Sequence, residues 1–120
     1  MALRCLIVDD SPRFLAAARG LLEREGIAVV GVAGNGAEAL ERAARLKPDV
    51  TLVDIDLGGQ SGFDVVRRLH AELGRIPAIL VSTHDEEDYA DLIAASPAVG
   101  FLPKTTLSAD AITKLLGLPA

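Results

Sequence analysis

Aromatic residues make up only 3% of this chain, and there is no tryptophan. Platforms on which nucleic-acid bases stack are therefore not expected. There is one cysteine, Cys5, so no internal disulfide can form and nothing points to an oxidising compartment. Cys5 lies in the apolar run Leu3-Arg4-Cys5-Leu6-Ile7-Val8, which fits a buried strand residue better than a reactive thiol. No apolar run reaches the ~18–20 residues that span a membrane. The first residues lack the basic, apolar, then small pattern of a signal peptide. A cytoplasmic protein is the expectation. Cations are outnumbered: 12 Lys and Arg against 17 Asp and Glu give a net charge of −5. That balance argues against non-specific binding to nucleic acid or anionic lipid.

What is present is an alternation. The 120 residues, 50% of them apolar, suit one domain over 1–120. Short apolar runs at 3–9, 27–33, 50–54, 78–82 and 99–102 read as strands. Between them, apolar residues recur at helical spacing: Phe14, Leu15, Ala18, Leu21 and Leu22, then Ala37, Leu40, Ala43 and Ala44. Phe63, Val66, Leu69 and Leu73 follow, then Tyr89, Leu92 and Ile93, and last Ile112, Leu115 and Leu116. Ser11-Pro12 reads as a helix start, and Gly26, Lys47-Pro48 and Gly117 as stops. The strands are continuous apolar runs, as a parallel sheet covered on both faces requires. The expected fold is α/β, a doubly wound five-stranded parallel sheet in the order 2-1-3-4-5, the flavodoxin-like (βα)5 arrangement.

Sheets of this kind bind ligands beyond the carboxyl ends of their strands, where the strand order reverses. Here that point lies between the first and third strands. The first ends in Asp9-Asp10, and the third ends in Asp54 with Asp56 just after. A lone aspartate usually caps a helix or makes a turn. A cluster needs more, because two carboxylates ~4 Å apart repel by about 4 kcal/mol at an effective dielectric of ~20. A hard divalent cation with oxygen ligands would offset that, and Mg²⁺ suits few protein ligands plus waters. The fourth strand ends in Ser82-Thr83-His84, and Pro103-Lys104 follow the fifth. Separately these read as a helix cap and a solvated lysine. Together they set a hydroxyl and an ammonium on the rim that carries the carboxylates. That suits a phosphoryl group, with a carboxylate as nucleophile.

Leu6-Ile7-Val8-Asp9-Asp10-Ser11, Val53-Asp54-Ile55-Asp56-Leu57, Leu80-Val81-Ser82-Thr83 and Gly100-Phe101-Leu102-Pro103-Lys104 resemble, in this order, a response-regulator receiver domain. The resemblance covers essentially the whole chain. It implies that Asp54 is the phosphoacceptor, receiving a phosphoryl group in a Mg²⁺-dependent step. Asp10 would bind Mg²⁺ directly, Asp9 through a water, and Asp56 through its backbone carbonyl. Lys104 would pair with phosphoryl oxygens. Ser82 would be the switch hydroxyl and Phe101 the switch aromatic, which turns inward as the hydroxyl moves. The phosphate would favour one of two arrangements of the fourth helix, fifth strand and fifth helix. The protein would be a regulator rather than an enzyme. Its donor would be a sensor histidine kinase or a phosphotransfer protein docking on the first helix, which carries Arg13, Arg19 and Arg24. Its downstream partner is not legible, and a phosphorylation-dependent dimer is compatible with the pattern.

Several positions depart from the family pattern. Thr105 follows Lys104 where proline is common, so the usual cis Lys-Pro bond cannot form, while Leu102-Pro103 could be cis. Gly58 replaces a proline and should loosen the loop after Asp54. Pro97 stands where glycine is common and should stiffen the end of the fourth helix. The side chains of Asp56 and His84 would flank the attack path and tune phosphate lifetime. Asp54-Ile55-Asp56 also looks like the nucleophile motif of haloacid-dehalogenase-type phosphatases, but there that motif precedes the acidic pair, whereas here Asp9-Asp10 come first. A phosphate-independent docking module is the other alternative. The glycine-rich stretch 31–36 is neither a dinucleotide fingerprint nor a P-loop. The Gly-Phe-Leu-Pro-Lys wording also looks like receivers joined to LuxR-type DNA-binding domains, though no direct DNA binding and no membrane contact are expected of this chain. Asp85, Glu86, Glu87, Asp88 and Asp91 form either a solvated helix start or a patch for a basic partner.

Overall fold

A computed structural model describes residues 2–74 and 76–119. Five strands alternate with five helices: β1 Arg4–Val8, α1 Pro12–Arg24, β2 Ala28–Ala33, α2 Gly36–Leu46, β3 Val50–Asp54, α3 Gly62–Leu73, β4 Ala78–Ser82, α4 Ala90–Ala94, β5 Gly100–Pro103 and α5 Ala109–Leu115. The sheet is parallel throughout, in the order β2-β1-β3-β4-β5. The expected fold class and strand order are both found.

Strand alternation divides the core into two layers. Leu6 and Val8 of β1, Val53 of β3 and Leu80 of β4 face one way, toward Ala39, Ala43, Phe63, Val66 and Leu69 of α2 and α3. Cys5, Ile7, Leu52, Ile79 and Val81 face the other way, toward Ala18 and Leu22 of α1 and Ile112 of α5. Each fully buried Leu, Ile or Val contributes about 1.5–3 kcal/mol of transfer free energy. Cys5 is buried as expected, and burial pushes its thiol up to about 12. It is no nucleophile at neutral pH.

The helix boundaries follow their caps. Ser11 accepts from the Phe14 N–H at 3.2 Å, with Pro12 in the first helical position. Asn35 and Ser108 cap α2 and α5 in the same way. At the end of α2, Lys47 is left-handed (φ 50°), and Arg4 donates to the carbonyls of Leu46 and Lys47, both at 2.9 Å.

Two expectations need correcting. Tyr89 does not belong to the fourth helix: residues Glu86–Tyr89 form a 3-10 turn, and α4 has only five residues. The Asp88 N–H donates to the Asp85 carbonyl at 3.1 Å, an i to i+3 bond that closes this turn in 3-10 geometry. Pro97 limits the far end of α4, because the residue before a proline avoids helical geometry. The fifth strand runs one residue later than expected, to Pro103. β5 is an edge strand paired only with β4, where a proline costs no ladder donor on its open side.

Candidate functional site

β1 ends at Val8 and β3 at Asp54, so both acidic segments emerge at the reversal of strand order. Carboxylate oxygens of Asp9, Asp10 and Asp54 lie within 4.8 Å of one another. Asp9 and Asp54 are buried and Asp10 is exposed. Each buried carboxylate is held by its own loop. Asp9 Oδ1 accepts from the Ser11 N–H at 2.9 Å, and Asp54 Oδ1 from the Asp56 N–H at 3.2 Å.

Lys104 brings the counter-charge. It follows β5 in a 3-10 turn, and its Nζ lies 2.6 Å from Asp9 Oδ2 and 3.3 Å from Asp54 Oδ2. Burial works against the ammonium's charge, but the hydrogen bond and the two carboxylates outweigh it, and the Lys104 pKa is raised. Asp54 moves the same way for other reasons. Burial, then the nearby Asp9 carboxylate, push its pKa from 3.8 to about 6 against the pull of Lys104.

Three carboxylates and one ammonium leave a local charge of −2 when all are ionised. Apart from the Lys104 ion pair, Asp9 Oδ2 has no donor among the described residues although it is fully buried. All the donor atoms are hard oxygens, and exposed Asp10 leaves one side open to water. This set fits a small divalent cation such as Mg²⁺.

The remaining candidates are placed less uniformly. Ser82 is buried at the end of β4, and its hydroxyl accepts from the His84 N–H at 3.0 Å. His84 is exposed, with its ring edge-on to Tyr89 at 6.1 Å between centroids. The side chain of Asp56 is exposed, and its backbone bridges to Ser61. Phe101 is buried in the layer that holds Phe63, so its ring already points inward.

No cis peptide bond occurs among the described residues, so Leu102-Pro103 is trans. Gly58 has φ +72°, which a proline cannot reach. The loop after Asp54 therefore takes a path that a proline-bearing loop could not.

Three contributors escaped the sequence reading. Phe14, read only as a core residue of α1, sets its ring 4.2 Å (centroid) from Lys104 Nζ. Gln60 Oε1 accepts from the Gly36 N–H at 2.8 Å, tying the loop after Asp54 to the start of α2. Gly62 packs so tightly that a Cβ there would lie 2.0 Å from the Asp54 carbonyl oxygen. The pairings of Phe14 with Lys104 and of Gln60 with Gly36 have no spacing signature; each depends on how separate segments meet.

The family model described as "Response regulator receiver domain" matches residues 5–116. The chain is 43% identical over 86 residues to protein PilH of Pseudomonas aeruginosa, covering 70% of each. It is 38% identical over 107 residues to a protein-glutamate methylesterase/protein-glutamine glutaminase of Vibrio cholerae, covering 87% of this chain and 28% of that protein. Among solved structures, a LuxR-family two-component response regulator from Aurantimonas sp. superimposes with TM-score 0.86 at 26% identity, covering 100% of this chain and 89% of that one. The chain spans about half or less of the length of most curated relatives it matches.

This chain belongs to the response-regulator receiver family. Members are mostly regulatory parts of two-component systems, generally phosphorylated on aspartate, and some are fused to enzymes. They bind Mg²⁺ in an acidic pocket and interact with histidine kinases or phosphotransfer proteins. The Asp54-Ile55-Asp56 stretch thus sits in a receiver rather than a haloacid-dehalogenase fold. Among the described residues, no helix is long and apolar enough to cross a membrane.

Proposed function

We propose that Asp54 is the phosphoacceptor and that Lys104, Asp9 and Asp10 complete its site. The observation that carries this is the ammonium of Lys104 set between Asp9 and Asp54, beside a third carboxylate. Asp9, Asp10, Asp54 and the Asp56 carbonyl would hold Mg²⁺. When bound, the ion would neutralise charge on the phosphoryl oxygens.

The protein's own groups do the rest. The Asp56 N–H and Lys104 fix the rotation of the Asp54 carboxylate. One of its oxygens attacks phosphorus while the P–N bond of a phosphohistidine breaks. The electron pair of that bond returns to the imidazole, and the product is an aspartyl phosphate. Lys104 then pairs with an oxygen of the transferred group.

Ser82 would leave the His84 N–H to reach that group, shifting the population of the α4–β5–α5 face. Leu92 of α4 and Val99, just before β5, are exposed, at 53% and 46%. Phe101 is already inward, so the Ser82 rearrangement carries more of the switch than rotation of the ring does. Asp56 and His84 set phosphate lifetime. The donor is a sensor kinase or phosphotransfer protein docking on α1. The chain itself does not bind DNA.

The test is intact-mass spectrometry after incubation with acetyl phosphate, with and without Mg²⁺, beside Asp54→Asn. One phosphoryl adduct that needs Mg²⁺ and disappears in the variant is expected. No adduct, with beryllofluoride also failing to bind, would instead indicate a phosphate-independent docking module.

A further inference from the structure

We propose that Phe14 is a positioning residue for Lys104, holding its ammonium over the acceptor through a cation–π contact. This deepens the phosphoacceptor reading and rests on it. Lys104 Nζ lies 4.2 Å from the centroid of the Phe14 ring, within the ~6 Å over which a cation is attracted by a ring face. The same nitrogen meets Asp9 and Asp54, so one ammonium is in contact with two carboxylates and a ring face.

The surroundings make the ring matter. Beside it is a cavity of about 320 Å³ between α1 and the loop after β5, lined by Ala17, Leu21, Thr83 and Leu107 among others. Among the described residues, Lys104 is the one charged residue of that lining. Without the ring face, the flexible lysine stem has room to swing out of the site. Phe14 is itself anchored, because its N–H donates to the Ser11 cap and the Ser11 N–H donates to Asp9. One short segment therefore supplies a carboxylate and the ring, both against Lys104. A change at the start of α1, where the donor is proposed to dock, would reach the acceptor through this contact.

The variants are Phe14→Leu, which keeps apolar volume without a ring face, Phe14→Met as a second aliphatic, and Phe14→Tyr as the rescue. Cation–π contacts range from exposed to desolvated in strength, so the aliphatic variants should lower the rate of phosphorylation by acetyl phosphate about 3- to 10-fold. Phe14→Tyr should restore it. A second readout does not need phosphorylation. In ¹³C-lysine-labelled protein, the ring current should displace the Lys104 ε resonance in wild type and Phe14→Tyr, and the displacement should vanish in Phe14→Leu and Phe14→Met.

Aliphatic variants that react at the wild-type rate, or a Lys104 resonance equal in all four proteins, would overturn the proposal. Loss of rate in Phe14→Tyr equal to that in Phe14→Leu would do the same. If wild type takes no phosphate, the phosphoacceptor reading fails and the resonance alone decides whether Phe14 holds Lys104.

Discussion

Replacing Asp54 by asparagine should make the metal-free protein more stable at neutral pH, although it removes the proposed acceptor. Burial and the Asp9 carboxylate raise the Asp54 pKa from 3.8 to about 6. Between those values the native state keeps a proton that the unfolded chain has released. Stability therefore falls as pH rises through about 4 to 6 and stays reduced above that window. At 1.36 kcal/mol per pH unit the penalty is about 3 kcal/mol, less what solvent at the open rim screens. Asparagine resembles the protonated carboxyl and has no charge to desolvate. In EDTA at pH 7.5, Asp54→Asn should gain about 2–3 kcal/mol in urea unfolding, or ~10 °C in melting temperature for a domain of this size. At pH 4 the gain should shrink toward zero, because wild type is then largely protonated as well. Mg²⁺ should narrow the gap at pH 7.5, since a ligand that binds only the native state stabilises it by mass action. A gain equal at pH 4 and 7.5, or no gain at 7.5, would refute the reasoning.

Other residues give further checks. Lys104→Met leaves two buried carboxylates without their cation and should cost about 3 kcal/mol in metal-free urea unfolding at pH 7.5, with added Mg²⁺ recovering part of the loss. Gly62→Ala puts a methyl group 2.0 Å from the Asp54 carbonyl oxygen, so β3 or α3 must shift. It should cost about 1–3 kcal/mol and slow phosphorylation; unchanged stability and rate would contradict the close contact. Thr51 buries a hydroxyl with no partner among the described residues, so Thr51→Val should raise stability by about 1 kcal/mol in thermal unfolding while leaving phosphorylation unchanged.

The sheet was legible because β1, β3 and β4 are buried on both faces and therefore read as unbroken apolar runs. With the order fixed, Asp9, Asp10 and Asp54 had to meet, and Lys104 reached them because β5 ends on the same edge. The fourth helix was harder to read. Tyr89, Leu92 and Ile93 carry a helical period, but period does not tell an α-helix from the 3-10 turn closed between Asp88 and Asp85, nor show the limit set by Pro97. The contacts of Phe14 with Lys104 and of Gln60 with Gly36 join residues 90 and 24 positions apart, and neither pair has a local pattern. Ser82 shows another limit. A hydroxyl at a strand end can serve a turn or a phosphate, and its present partner, the His84 N–H, depends on the loop geometry.

The central claim is that Asp54, and no other carboxylate of the acidic cluster, takes the phosphoryl group. Borohydride reduction of the acetyl-phosphate-treated protein, followed by peptide mass mapping, tests it most directly, because an acyl phosphate is reduced to an alcohol while a free carboxylate is not. The account predicts homoserine at position 54 alone, formed only when Mg²⁺ was present during phosphorylation. Homoserine at position 9, 10 or 56, or at position 54 regardless of Mg²⁺, would contradict it.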